Sequence, residues 1–168
     1  MTGNKPMPTA VLALCDAALH RQIAWVLLLL SCLCGVHSTQ AKENHPGAQP
    51  QLPTIKLLVG GQPMVVEIAS SANQRFMGLS FRRSMAEDAG MLFVYPQEQA
   101  LTFTMRNTLI PLSIAFISKD LVVNEIHEMN VGPGQLFPAR QKAQYALEVN
   151  QGWFAKNGVK PGAQLVMP

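Results

Sequence analysis

The chain reads as mainly β with an α+β element: a small antiparallel barrel or strongly curved sheet with one flanking helix. Three observations predict this. Seven or so short β-type segments follow one another from Thr54 onward, with turn signals every eight to twelve residues. One stretch, from Ser71 to about Arg82, carries helix signals. Leu112 to Ile117 is apolar except at Ser113, the pattern of a strand buried on both faces.

Residues Ile23 to Val36, IAWVLLLLSCLCGV, form an apolar run too short to span a bilayer comfortably. Lys5 and Arg21 precede it, and Thr39 and Ala41 supply the small residues of a cleavage site, so residues 1–41 read as a secretory signal peptide. Met7 is an alternative start. Two other readings of the leader stand beside this one: an uncleaved membrane anchor, or a lipoprotein box over Leu29–Cys32 with Cys32 lipidated. Cys15, Cys32 and Cys34 all lie in or before the leader. An exported domain starting near Lys42 would therefore have no disulfide, no thiol nucleophile and no thiolate metal site. Residues 42–168 hold eleven Lys or Arg and nine Asp or Glu, a net charge of about +2. Their only basic cluster is Arg82-Arg83, and no aromatics interleave with basic residues, so nucleic-acid binding has no support.

Lys42 to Pro53, with three prolines, reads as a flexible tether, and 54–168 as one β-rich domain. Thr54–Val59 and Met64–Ala69 make an opening hairpin around Gly60-Gly61. Ser71-Ala72-Asn73-Gln74 is a capping box. A helix continuing through Gly78 would put Arg75 and Arg82 on one face. Gly90–Tyr95 is a strand stopped by Pro96. The organising stretch, Leu101 to Ser118, follows. Its polar triplet Arg106-Asn107-Thr108 is too short to leave the domain and return, so it is expected at a turn beside the core, with Arg106 paired there. Pro111 opens the buried strand. Leu121–Met129, Tyr145–Asn150 and Gln164–Met167 are further strands. Asn130–Arg140 is a loop able to cover a site, and Gly152–Asn157 a single helical turn.

The chemistry narrows by class. A Ser-His-carboxylate set would need His127 with Ser80, Ser84 or Ser113, and no nucleophile elbow exists. Glu125 and His127 share a strand face but supply only two metal ligands, so no metal site is read and Glu125–Glu128 is taken as a solvated, charged edge. No phosphate loop and no cofactor are implied. Glu148, inside the apolar segment YALEV, needs a cation if it faces inward, and Arg75, Arg82 or Arg106 could supply it.

Four blocks now stand out: Arg75-Phe76-Met77-Gly78-Leu79-Ser80-Phe81-Arg82, Gly90-Met91-Leu92-Phe93, Met105-Arg106-Asn107-Thr108-Leu109-Ile110-Pro111-Leu112, and Leu147-Glu148-Val149-Asn150 with Gly152. In order and spacing they closely resemble the prokaryotic family known as domain of unknown function 192, over roughly Thr54 to Pro168. The resemblance implies a single-domain β-rich fold, often behind a signal peptide, and no established activity. The chain departs from the family pattern at Ser80 (usually Met), Thr104 (usually aromatic) and Ser113 (usually Asp). The last departure favours binding or structure over catalysis by that acid.

The expectation is an exported, periplasmic or extracellular domain that binds a small polar or anionic ligand, or an envelope protein. Its site would be a pocket of Arg75, Arg82, Arg106, Asn107, Thr108 and Glu148, with Glu148 holding Arg106. The alternative is an envelope hydrolase on a small anionic or glycan substrate, with Glu148 or His127 as base. Membrane contact is expected only through the leader.

Overall fold

The computed structural model describes residues 46–132 and 134–168; the expected leader, its cysteines and the first tether residues lie outside the described residues. Thr54–Val59 (β1) and Gln62–Ala69 (β2) form the opening antiparallel hairpin. Ala72–Met77 (α1) then carries the chain over to Ala89–Gln99 (β3), which pairs parallel to β2. Thr102–Thr104 (β4), Leu112–Ile117 (β5), Val123–Met129 (β6), Leu136–Pro138 (β7) and Ala143–Asn150 (β8) follow. Trp153–Lys156 (α2) and Leu165–Val166 (β9) complete the order.

Seven strands make one sheet in the order β6-β5-β8-β3-β2-β1-β9, while β4 and β7 pair separately. The sheet curls into a half-barrel. Its two edges meet at one end, where Val122 bridges Gln164 and the Val123 N–H donates to the Ala163 carbonyl at 2.9 Å. Residues from opposite ends of the strand order therefore share one interior: Leu57, Val59 and Leu165 pack with Val123, Ile117, Leu147 and the α2 aromatics Trp153 and Phe154.

The outer face is also covered over its middle. Met91, Phe93, Ile114, Phe116 and Ala146 pack there beneath Leu79, Leu101, Phe103 and Met105. This double coverage is why every residue of β5 is buried. Phe103 stands edge-on to both Phe93 (4.9 Å between centroids) and Phe116 (5.8 Å), fixing the cover to the sheet.

Three expectations are corrected. The helix ends at Met77, not near Arg82, because Gly78 adopts a positive φ of 50° and breaks the helical path. A Cβ there would also lie 3.3 Å from the Phe93 ring, so the glycine answers a side chain below it. β3 runs through Pro96 to Gln99, with its register shifting between Val94 and Gln99. The segment Asn130–Arg140 contains β7, which pairs with β4 and holds the cover down. The end of the expected tether is fastened to the domain: Gln49 Nε2 donates to the carbonyls of Gln74 and Gly78, and Ile68 N–H to Pro53.

Candidate functional site

Strand register places a row of side chains across the covered outer face. Glu67 lies beside Met91, Met91 beside Glu148, Glu148 beside Ile114, and Ile114 beside His127. The alternation in β8 turns Ala146 and Glu148 toward this face and Leu147 and Val149 into the half-barrel. Gly90 is required beside them: an added Cβ would meet the Glu148 carbonyl at 2.7 Å.

Glu148 is 5% exposed and lines a cavity of about 430 Å³ between α1, the turn after it, β3, β4 and the Arg106 turn. Arg75, Phe76, Ser80, Phe93, Tyr95, Thr102, Phe103, Thr104, Arg106 and Thr108 share the wall. No hydrogen bond or ion pair joins the Glu148 carboxyl to any described residue. Burial among apolar neighbours pushes it from its ordinary 4.5 up to about 8, so it is mostly protonated at neutral pH and can donate as well as accept. Burial also raises the Tyr95 phenol, with Arg75 pulling it down and Glu148 pushing it up.

The arginines frame this acid without neutralising it. Arg75 Nη1 donates to the Val94 carbonyl at 2.9 Å and to the Ser70 carbonyl, and its guanidinium lies 4.7 Å over the Tyr95 ring. The capping box holds α1 in place for this, with Gln74 N–H on Ser71 Oγ and Ser71 N–H on Gln74 Oε1. Arg106 is exposed, not trapped: its guanidinium stacks 4.7 Å over Phe76, itself 69% exposed. The expected Arg106–Glu148 pair is absent. A turn at Arg106-Asn107, closed by Thr108 N–H on the Met105 carbonyl, carries that side chain outward.

Of the six expected residues the cavity gathers four: Arg75, Arg106, Thr108 and Glu148. Asn107 lies outside. It takes a positive φ of 60° and accepts the Phe81 N–H on its carbonyl at 2.7 Å, which ties the turn to the segment after α1. Arg82 also lies outside, and it makes the buried ion pair that was expected of Arg106. Its two terminal nitrogens meet the two carboxylate oxygens of Glu67, Nη2 at 2.8 Å from Oε2, and Leu52 N–H donates to the same oxygen at 2.8 Å. With the helix over at Met77 and Phe81 at a positive φ of 63°, Arg82 turns inward while Arg75 stays at the cavity.

Two readings of the sequence missed residues here. Tyr95 shares the face of Met91 and Phe93 by strand alternation, and Phe76 is the one residue of α1 that is both large, apolar and exposed; together they were the signal for an aromatic rim. Glu125 is not solvated. It is 9% exposed, accepts the Arg140 N–H at 2.6 Å, and lies 2.8 Å from His127 Nε2, whose ring stands edge-on to Phe116. Ile114 separates His127 from Glu148, so the histidine does not reach the cavity wall. Among the described residues no group of three or more His, Cys, Asp or Glu could hold a metal ion. Among them, too, no helix is long and apolar enough to cross a membrane.

The half-barrel is similar to two solved structures. One is a protein from Sinorhizobium meliloti described as a "putative transcription regulator": 31% identical, with a TM-score of 0.66, over 70% of this chain and 96% of that one. The other is a protein of unknown function from Novosphingobium aromaticivorans, 30% identical with a TM-score of 0.65, over 75% of this chain and 94% of that one. No curated protein matches the sequence. The model of the DUF192 family, described as uncharacterized ACR, matches residues 55–167, which take in every strand but for Thr54 of β1 and every wall of the cavity. The chain belongs to that family.

Proposed function

We propose that this protein is exported and binds a small polar ligand, with an anionic group at the Arg75–Arg106 rim and a hydrogen-bonding group at Glu148. The observation that carries the reading is the buried Glu148 carboxyl, aimed into a cavity with no partner from the protein. A buried polar group left without a partner costs about 1–3 kcal/mol, and a ligand that answers Glu148 recovers that cost on binding; Arg82 Nε is also buried without a partner, but it lies outside the cavity. The rim supplies what an anion wants. Arg106 is exposed with its guanidinium over the Phe76 ring, and Arg75 is held by two carbonyls, so both cations stand at the cavity before a ligand arrives. Thr102, Thr104 and Thr108 add hydroxyls around the wall.

Export rests on the apolar leader alone, and an envelope location follows from it. The Sinorhizobium relative is described as a putative transcription regulator, but nucleic-acid binding has little to work with here. The one adjacent basic pair is Arg82-Arg83, and Arg82 is engaged by Glu67.

One observation favours a second reading, acid catalysis in the same cavity: a carboxyl held protonated to about pH 8 is suited to deliver a proton. Among the described residues Glu148 is the only acid in the wall, which leaves glycosidase chemistry without its second carboxyl.

The test is to purify the full chain from envelope extract without denaturation and identify the small molecules it releases. A polar compound enriched on the wild type and lost from Arg106→Glu supports binding. A protein that carries nothing, and whose melting temperature no polar organic anion raises, overturns it. Amino-terminal sequencing of the purified chain checks export, with a start near Lys42 expected.

A further inference from the structure

Resting on the binding reading above, we infer that the ligand is a small zwitterion, its ammonium seated on Glu148 and its anionic group on Arg106 and Arg75. The separation of charges in the cavity points to this. The protein brings two guanidiniums and one carboxyl to a single wall and pairs none of them with another. Arg75 is drawn aside by the Ser70 and Val94 carbonyls and by Tyr95, and Arg106 by Phe76. What remains is a dipolar cavity, cationic at the open rim and acidic at the buried end.

The groups around Glu148 leave the acid for a ligand to complete. From α1 comes Arg75, from β3 Tyr95, and from the turn after β4 Arg106. Its lateral neighbours, Met91 on β3 and Ile114 on β5, are apolar. Beyond them stand Glu67, already paired with Arg82, and His127, already beside Glu125. A hydroxyl or carbonyl ligand would be served as well by glutamine, without the cost of burying an ionisable carboxyl between Met91 and Ile114. What a carboxyl adds is the capacity to take a negative charge when a cation enters. An ammonium does this: the Glu148 proton leaves to solvent, a carboxylate–ammonium pair forms, and the ligand's anionic end remains at the guanidiniums. A purely anionic ligand would leave Glu148 protonated, as a hydrogen-bond donor that releases no proton, and a simple amine would gain nothing from the arginines.

The probes are ω-amino acids from β-alanine through γ-aminobutyrate to ε-aminocaproate, each compared with the fatty acid and the alkylamine of equal length. Calorimetry at pH 7 in phosphate and in Tris, whose ionisation heats differ, counts the protons released. Expected is a length optimum at which the amino acid binds about tenfold or more tighter than either partial analogue. About one proton per ligand should be released. Glu148→Gln, of equal size and uncharged, should abolish the proton release and weaken binding at least tenfold. Arg106→Ala should weaken binding while proton release at saturation persists. Fatty acids binding as tightly as the amino acids would overturn the zwitterion and leave the anion-binding cavity standing. So would undiminished binding to Glu148→Gln. If no amino acid of any length binds, the zwitterion is also wrong, and the native purification decides the broader reading separately.

Discussion

Two buried glutamates stand on the same face of one sheet, with Met91 between them, and the protein treats them oppositely. Glu67 is 8% exposed and fully answered, by both ends of the Arg82 fork and by the Leu52 N–H. Glu148 is 5% exposed and answered by nothing, although two arginines share its cavity. The difference does not lie in the acids. It lies in the backbone that delivers the cations. Gly78 and Phe81, both at positive φ, swing Arg82 under the segment after α1 and onto Glu67. The Arg106-Asn107 turn, anchored to Phe81 through the Asn107 carbonyl, throws Arg106 outward instead. One acid belongs to the structure; the other is left for something the chain does not contain.

The largest effect expected from this contrast is at the answered acid. Arg82→Ala leaves the Glu67 carboxylate buried with only a backbone donor, and truncating one partner of a buried pair costs about 3–5 kcal/mol. Urea unfolding at pH 7 reads it as a fall in midpoint at constant slope. Replacing the pair together, Arg82→Met with Glu67→Leu, should recover most of that loss, because the buried-pair penalty disappears with the pair. If Arg82→Ala alone melts with the wild type, the pair is not structural and the contrast collapses.

The unanswered acid should behave with the opposite sign. The folded carboxyl keeps its proton up to about pH 8, whereas an unfolded one loses it near 4.5. Between those values the folded chain binds more protons than the unfolded chain, so stability falls as pH rises through the window. Glu148→Gln removes that dependence. It should leave the protein more stable than the wild type by about 3 kcal/mol at pH 7 and by under about 1 kcal/mol at pH 5. A pair of thermal or urea series across this range measures the gap. A wild-type stability flat from pH 5 to 8 would mean that Glu148 is solvated or paired in solution.

The contrast also shows what could be read from the residues alone. The hairpin, the capping box, the doubly buried strand at Leu112–Ile117 and the shared face of Ala146 and Glu148 follow from periodicity and turn chemistry, which act locally. The partner of each acid does not. MVVEIA reads as a strand, and nothing in it announces that its Glu67 lies on an outer face covered by Leu79, Leu101, Phe103 and Met105. The inversion of Arg82 and Arg106 hangs on two backbone conformations, φ of 63° at Phe81 and 60° at Asn107. Composition does not encode positive φ at a phenylalanine; tertiary contact imposes it. Glu125 was misread for the same reason: an edge strand is solvated only if nothing lies over it, and the segment reaching Arg140 does.

A third perturbation separates the two acids through the backbone. Gly90 sits on β3 against β8, and Gly90→Ala sets a Cβ against the Glu148 carbonyl. The strands must part at Glu148 while the Glu67–Arg82 pair, on the far side of Met91, keeps its contacts. Overpacking of this kind costs about 1–3 kcal/mol. Amide exchange should quicken in β8 around Leu147–Val149 and stay slow in the β2 residues flanking Glu67. Uniform loosening of both would show that the acids share one cooperative unit.

The smallest expected effect is the most telling about function. Arg106 is exposed, makes no ion pair among the described residues, and touches the protein chiefly through the Phe76 ring. A cation–π contact at an exposed site is worth about 0.5–1 kcal/mol, so Arg106→Ala should lower stability by no more than that. Arg82→Ala, a change of the same chemical kind in the segment after α1, should cost several times as much. If the two losses come out alike, Arg106 is held by an acid after all, and Glu148 is the only unpaired one within its cavity. If they differ as expected, an arginine has been kept ordered at a cavity mouth with little return in stability, and binding is the role left for it.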